Sequence, residues 1–343
     1  GEAAYRDFKQ GILASFVGGM GLEPDVLAPL VEVGMHARRR AELKIACTEQ
    51  GVRIGFYAKA SHQLVDVTVC SISDPAITRI LPVLRRGIAA LNAPERCTSI
   101  SLTALDAGLD AVMRLSHPLS REDTEKLIAC AQECGIIRLH TQLPEAQPLC
   151  LYDTGGAIIT FGGVAVALPA GAFMQASAAG EQAITRVVLK HLQGCARVAD
   201  LYAGCGTYSF PLSQQSQQVS AYEGAQVMVT AMQQACGREG LRERVQARLR
   251  DLYTHPLTAQ ELNAYDGLVI NPPRNGALPQ VQQIAHSTVG RVVMVSCDPA
   301  TFKRDARCLL ESGYRLIHMV PIDQFTFSRH LELVAVFERD GYQ

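Results

Sequence analysis

Cys297 is placed to act as a nucleophile. It follows the hydrophobic run Val292–Ser296 and precedes Asp298-Pro299-Ala300-Thr301. A helix opening at Asp-Pro would bring backbone N–H groups and the positive helix end to the thiol, and both favour the thiolate. The plain alternative is a buried structural cysteine, because free Cys is among the residues most often found inside. Two further polar groups end or begin hydrophobic runs. Asn271-Pro272-Pro273-Arg274 closes one run and His330-Leu331-Glu332 opens the last. If the runs are strands of one open α/β sheet, their ends line the crevice where such sheets hold ligands. Taken alone, Glu332 reads as an exposed charge on an edge strand.

The second group of residues points to a ligand. Asp200-Leu201-Tyr202-Ala203-Gly204-Cys205-Gly206-Thr207 follows the first strong strand of the C-terminal half, and Glu223 ends the next, 23 residues after Asp200. Gly204 and Gly206 permit a tight turn and close approach of a ligand to the backbone. An acid at 223 can accept hydrogen bonds from two ribose hydroxyls. A dinucleotide site wants a third glycine where Ser209 stands. S-adenosylmethionine (SAM) carries a ribose and no phosphate, and suits the pattern better. NAD(P) or flavin, and a glycine-rich turn without a ligand, are the alternatives.

The elements that must position these groups follow from periodicity. Helix from about Gly180 to Leu192, strand Arg197–Tyr202, strand Val219–Tyr222, helix Gln226–Arg238, strand Gly267–Ile270, helix Pro279–Ser287, strand Val292–Ser296 and helix Thr301–Glu311 succeed one another. This alternation predicts a parallel, doubly wound sheet. Strands Arg315–Pro321 and Leu331–Phe337 are joined by a short loop, which requires antiparallel pairing. A Rossmann-like sheet ending in such a hairpin is the shape of class I methyltransferases. Upstream, Tyr5, Phe8, Ile12 and Phe16 recur at helical spacing, and Glu23-Pro24 suggests a second helix. Between 35 and 170 the texture is α+β, with strands such as Arg53–Tyr57 and Leu64–Val69, a helix from Pro75 to about Leu91, and another over 122–134. The uncharged stretch Gly155–Phe173 is broken by Gly162-Gly163 and Pro169, and reads as a β-hairpin over Ala157–Leu168, not as a membrane span. The expected domains are a helical segment 1–34 packed on the methyltransferase domain, a smaller central domain 35–170, and the methyltransferase domain 171–343.

Composition bounds the rest. Among 343 residues, 32 Lys and Arg face 33 Asp and Glu, which excludes a polybasic nucleic-acid coat but not a local basic face. Hydrophobic residues make up 48%, ample for packed cores. Trp is absent, which argues against a broad aromatic base-stacking platform. The 11 Cys are odd in number and irregularly spaced, without a signal peptide or a C-x-x-C pair. They predict reduced thiols in a cytoplasmic protein, with Cys130 and Cys134 buried on a helix.

Together these motifs resemble the RNA uracil-C5 methyltransferase family, which makes 5-methyluridine in tRNA and ribosomal RNA. The family's F-x-Q-x-N is matched by Phe173-Met174-Gln175-Ala176-Ser177 except at its last position, and D-L-[FY]-x-G-x-G by 200–206. V-E-G corresponds to Tyr222-Glu223-Gly224, and D-P-P-R-x-G to 271–276 with Asn271 in place of Asp. S-C-[ND]-P-A-T is complete at 296–301, and H-x-E stands at 330–332. Gly55-Phe56-Tyr57, Ser61-His62 and Val65-Asp66 resemble the central RNA-binding domain of the ribosomal-RNA members.

The resemblance implies Cys297 as nucleophile and Glu332 as base, with His330 the second choice for the base because it titrates near neutral pH. SAM would lie on Gly204, Tyr202, Glu223 and Asn271, with Gln175 near its methionine end and Asp251 a weaker candidate on the adenine side. The expected partner is RNA, with ribosomal RNA favoured, no membrane, and a monomeric enzyme. His36, Arg38, Arg39 and Arg40, and Arg79, Arg85 and Arg86, are candidate phosphate contacts whose alternative is a solvated face. Relatives commonly begin with a β-barrel and a cysteine-rich segment. Residues 4–9 resemble the stretch immediately C-terminal to that segment, so the chain, which opens at Gly1, is expected to lack its natural start. Cys70, at the end of strand Val65–Val69, would be the fourth ligand of a [4Fe–4S] cluster in the complete protein. Two rivals remain: a SAM-dependent amino-group methyltransferase using Asn271-Pro272-Pro273, and an inactive RNA-binding or assembly factor.

Overall fold

A computed structural model describes residues 2–20, 24–59 and 61–341. It separates into two compact units. One comprises residues 1–34, 160–166 and 178–343, and the other residues 35–159 and 167–177.

The first unit is built on an eight-stranded sheet. Its order is Val31–Glu32, Tyr314–Asp323, Glu332–Arg339, Arg291–Ser296, Gly267–Ile270, Arg197–Leu201, Gln218–Glu223, Val245–Leu249. The strands from Arg291–Ser296 to Val245–Leu249 are mutually parallel, whereas Glu332–Arg339 runs antiparallel to both its neighbours. This is the Rossmann-like class I methyltransferase arrangement, with its topological switch between Arg197–Leu201 and Gly267–Ile270. Alternation along each strand feeds two cores. Ala199, Leu201, Leu268, Ile270, Val292, Met294, Leu333 and Ala335 face one side, covered by Val281, Ile284, Phe302, Leu309 and Leu13. Val198, Val269, Val293, Val295, Val334 and Val336 face the other, against Ile184 and Val188 of helix Ala178–His191. A sheet covered on both faces needs such apolar strands.

The second unit has a seven-stranded sheet in the order Leu64–Asp66, Gly51–Tyr57, Arg40–Thr48, Cys97–Leu105, Gly108–Leu115, Ile136–Gln142, Leu149–Asp153. Its core includes Ile54, Leu81, Leu84, Ile100, Met113 and Leu127, with Cys130 and Cys134 buried beside them. Between the long segments, Ile158–Phe161 and Val164–Ala167 form a hairpin. Gly162 and Gly163, at φ 53° and 80°, supply the two left-handed positions that a tight hairpin turn requires. Among the described residues no helix is long and apolar enough to cross a membrane.

Several elements differ from expectation. Glu23 lies outside the described residues, and Pro24–Val26 makes a single 3-10 turn, not a second helix. Pro29 cannot continue a helix. The Ala28 N–H bonds to the Met319 carbonyl at 2.8 Å, and Val31–Glu32 joins the sheet. The helix expected from Pro75 to Leu91 is two, Pro75–Arg79 and Leu81–Ala89. Pro82 has no N–H to donate, so it opens a new helix where that donor is not needed. Strand Leu64–Val69 shortens to Leu64–Asp66, because the Asp66 carboxylate, not a backbone carbonyl, takes the Ile54 N–H at 2.9 Å. The expected boundary at 170/171 also moves. Residues 167–177 join the second unit, where Arg39 donates from its backbone N–H to the Ala176 carbonyl and from Nε to the Gln175 carbonyl, and Arg40 donates to the Met174 carbonyl. Residues 160–166 join the first, where Arg238 donates to the Ala165 carbonyl at 2.8 Å.

Candidate active site

The strand ends bring the two chemical residues together. Ser296 pairs with Leu333 in the antiparallel ladder of the Arg291–Ser296 and Glu332–Arg339 strands. Cys297 and Glu332 adjoin that last rung, close enough for the Glu332 charge to act on the thiol. Glu332 is buried, only 3% exposed, on an interior strand flanked on both sides. The exposed edge charge considered from the sequence is therefore excluded. Burial pushes its carboxyl up to about 7, against a hydrogen bond from Gln324 Nε2 at 2.8 Å and the nearby Arg274 charge. A carboxyl poised near neutrality suits a general base.

Cys297 is half-buried. Its thiol is pushed up by burial and by the Glu332 charge, with Arg274 opposing. This corrects the expectation that the helix end would favour the thiolate. The helix Pro299–Leu310 does begin here, but its first free N–H groups, those of Ala300 and Thr301, are already taken by the Asp298 carboxylate at 3.0 and 2.9 Å. His330, the second choice for the base, is exposed, and burial together with Arg274 and Arg329 holds its imidazole below the ordinary value.

On the other side of the switch point, the loop after Arg197–Leu201 is held by its acids. Glu223 accepts the Gly204 N–H through Oε2 and the Ala225 N–H through Oε1, each at 2.9 Å. Tyr202 sits at φ 62°, Gly204 at 58° and Gly206 at 94°. A Cβ on Gly206 would lie 2.5 Å from the Phe210 ring, whereas one on Gly204 would meet nothing within 4 Å. The turn is thus packed beneath Gly206 and open at Gly204. Asn271 continues the neighbouring strand through its N–H to the Leu201 carbonyl, at 3.1 Å. Tyr202 Oη is buried without a hydrogen-bond partner. An open glycine turn, an unpaired hydroxyl and a ribose-ready carboxylate at adjoining strand ends fit a SAM-sized ligand.

Asp200 is fully buried beneath this loop. Ser209 Oγ donates to its Oδ2 at 2.6 Å, and burial still raises its carboxyl to about 7. The sign of the consequence is opposite to that of most acids. The folded state holds the proton more tightly than the unfolded chain between roughly pH 4 and 7, so Asp200 makes the protein less stable as pH rises through that window. Asp200→Asn keeps an acceptor for Ser209 and removes the titration. Between pH 5 and 8 the variant is expected to gain about 2–3 kcal/mol relative to the parent, read from urea unfolding at the two pH values. An equal pH dependence in both proteins would overturn the assignment.

The other expected residues have these surroundings. Gln175 is buried in the second unit, where its carbonyl accepts from Arg39. Asp251 is exposed, and bonds from Thr254 and Tyr253 hold its carboxyl below the usual range. Of the candidate phosphate contacts, Arg38 bonds the Arg40 carbonyl and Arg39 and Arg40 bond carbonyls of 174–176, while Arg85 bonds Asp66 and the Val67 carbonyl. These four hold the fold, against the phosphate reading. Arg86 pairs with Glu133 at the surface. Cys70 is half-buried in the loop after Leu64–Asp66, not at a strand end. Among the described residues no group of three His, Cys, Asp or Glu could hold a metal, so they do not by themselves fit an iron–sulfur cluster. Ser209, Gln324 and the pair Lys9–Asp323 were missed. Lys9 had left a signal, because it interrupts the apolar stripe of Tyr5, Ile12 and Phe16.

Residues 165–340 match the tRNA (uracil-5-)-methyltransferase family. An RNA methyltransferase of uncharacterized specificity from Mesorhizobium japonicum is 35% identical over 336 residues, covering 98% of this chain and 79% of that protein. The 23S rRNA (uracil(1939)-C(5))-methyltransferase of Halomonas elongata is 31% identical, over 98% of this chain and 72% of its own length. In structure, the chain is similar to the Pyrococcus abyssi tRNA (uracil-54, C5)-methyltransferase solved with S-adenosyl-L-homocysteine, with a TM-score of 0.75, 18% identity and coverage of 97% and 83%. The strand order, the glycine turn beside Glu223 and the Cys297–Glu332 pair thus belong to a SAM-dependent RNA methyltransferase, and the chain is a member of the tRNA (uracil-5-)-methyltransferase family.

Proposed function

We propose that the enzyme methylates C5 of a uridine in ribosomal RNA through a covalent bond between Cys297 and C6 of the base. The observation that carries this reading is a buried Glu332, its carboxyl raised to about 7, within electrostatic reach of Cys297 at the adjoining strand end. Uracil C5 is too weak a nucleophile to be alkylated directly. Addition of the Cys297 thiolate to C6 turns C5 into the carbanion end of an enolate, dividing one hard step into easier ones. Bound SAM supplies the electrophilic methyl group. Glu332 then takes the C5 proton, the C5=C6 double bond re-forms, and the Cys297–C6 bond breaks to return the thiolate. Because the base is otherwise stacked, the target must be unpaired or extruded to reach these residues. The 31% identity to a 23S rRNA enzyme supports ribosomal RNA as the substrate.

In this reading Glu223 holds the ribose, Gly204 and Tyr202 line the cofactor, and Asn271 lies beside it. Glu223→Ala removes the ribose acceptor and releases the Gly204 and Ala225 N–H groups. SAM affinity is expected to fall about 10- to 150-fold, equivalent to ~1.5–3 kcal/mol, by calorimetry. An unchanged dissociation constant would refute the contact. A cluster on Cys70 remains a proposal for a protein in which further thiolates reach it, and iron analysis after anaerobic purification tests it.

Incubating total RNA from a deletion strain with the enzyme and methyl-labelled SAM tests the whole reading. Label in 5-methyluridine of 23S rRNA is expected. Label in tRNA would replace the substrate, label in adenine or protein would favour amino-group transfer through Asn271-Pro272-Pro273, and no label would favour an assembly factor.

A further inference from the structure

Residues 324–331 join the last two strands and carry an unusual tip. Phe327 is 63% exposed and sits at φ 61°, in the left-handed region that a large side chain avoids. Such a conformation persists only where the surroundings hold it, and here they do. The Phe327 N–H donates to Tyr5 Oη at 3.0 Å, and the two rings meet edge to face with centroids 5.3 Å apart. Tyr5 Oη in turn donates to Asp323 at 2.6 Å. Asp323 is paired at 2.8 Å with Lys9, which has no exposed surface and also donates to the His330 carbonyl at 2.7 Å. The helix Glu2–Gly18, which carries Tyr5 and Lys9, therefore grips the loop at its start, tip and end. The same loop contributes Gln324 to Glu332.

A left-handed backbone and a buried ion pair hold out an aromatic ring that, apart from its edge-to-face contact with Tyr5, is largely open to solvent. Arg329 and His330 follow it and are exposed, and the exposed Arg274 is close enough to act on His330. An open π-face with exposed cations beside it, in the loop that leads into Glu332, suits an unpaired nucleotide: bases of any identity stack on an aromatic face while arginines meet the backbone phosphates. We propose that Phe327 is a stacking residue for an unpaired base of the RNA next to the target uridine, with Arg329 beside the adjoining phosphate. This rests on the reading of the enzyme as an RNA uracil methyltransferase.

The chain contains no tryptophan, so Phe327→Trp introduces a single indole emitter at the position in question. Substrate RNA is expected to quench it saturably, at a concentration that tracks the KM for RNA. Phe327→Gly tolerates the left-handed backbone and removes only the ring. It is expected to raise the KM for RNA about 5- to 100-fold, with an unchanged SAM dissociation constant and melting temperature. A Phe327→Trp enzyme that methylates RNA with an unquenched indole, or a Phe327→Gly enzyme with the parental KM, would overturn the stacking role and leave the functional reading intact. Failure of the parent to methylate any uridine in total RNA would overturn both.

Discussion

Glutamine in place of Glu332 is expected to leave methylated RNA attached to Cys297. The amide preserves the size of the side chain but has no basic oxygen for the C5 proton. Addition to C6 and uptake of the methyl group proceed, elimination stalls, and turnover falls about 10²- to 10⁴-fold. Denaturing electrophoresis with labelled SAM and substrate RNA reads the result. A labelled band is expected with Glu332→Gln, disappearing in the double variant with Cys297→Ala, and Cys297→Ala alone is expected to form neither adduct nor product. Wild-type turnover by either single variant would show that the roles are wrong. The variant carries a second observable. Because the Glu332 charge raises the Cys297 thiol, its removal is expected to lower that thiol's pKa, so alkylation by iodoacetamide at pH 7 becomes faster. On the proposed mechanism, catalysis in the parent requires both an ionised Glu332 and an ionised Cys297. Its rate is therefore expected to rise with pH from below about 7, where burial keeps Glu332 protonated, and to continue rising as the thiol ionises.

Lys9→Met is expected to destabilise the protein by about 3–5 kcal/mol, the usual consequence of leaving one member of a buried ion pair alone. Lys9 is completely buried and Asp323 nearly so, at 0% and 3% side-chain exposure. Removing the cation strands the carboxylate, with Tyr5 still donating to it, and frees the His330 carbonyl. Asp323→Asn in the same chain is expected to recover much of the loss, because a neutral amide does not need a counter-charge. Urea unfolding of the parent, both single variants and the double variant gives the coupling energy directly. Additive effects would show that the pair does not act as a unit.

The C-terminal half was legible because its strands are buried on both faces. Runs such as Gly267–Ile270 and Val292–Ser296 are apolar throughout, and each ends abruptly in a polar motif. Their boundaries in the structure agree to within a residue or two. The N-terminal region was harder, because short amphipathic pieces leave proline placement to decide. Pro29 and Pro82 each ended a helical pattern that periodicity alone would have extended. Among the site residues, the pairing of Cys297 with Glu332 came through resemblance, yet their protonation did not. Sequence shows that Cys297 precedes a helix but not that Asp298 occupies the helix end, and it shows Glu332 at a strand start but not that strands flank it on both sides. The partners Ser209 and Gln324 are separated from Asp200 and Glu332 by 9 and 8 residues, and each pair meets across a turn or loop, so no periodicity of one helix or strand links them.

The antiparallel pairing of Ser296 with Leu333 also divides the protein's freedom to change. Cys297 and Glu332, the proposed nucleophile and base, adjoin that rung, and a slip of one residue would turn Glu332 to the opposite face of the sheet. Residues 324–331 stand outside that pairing. On the proposed reading, their tip can lengthen or shorten at the surface offered to RNA while the ladder beside Cys297 and Glu332 stays fixed, so the choice of RNA and the chemistry have separate places to vary.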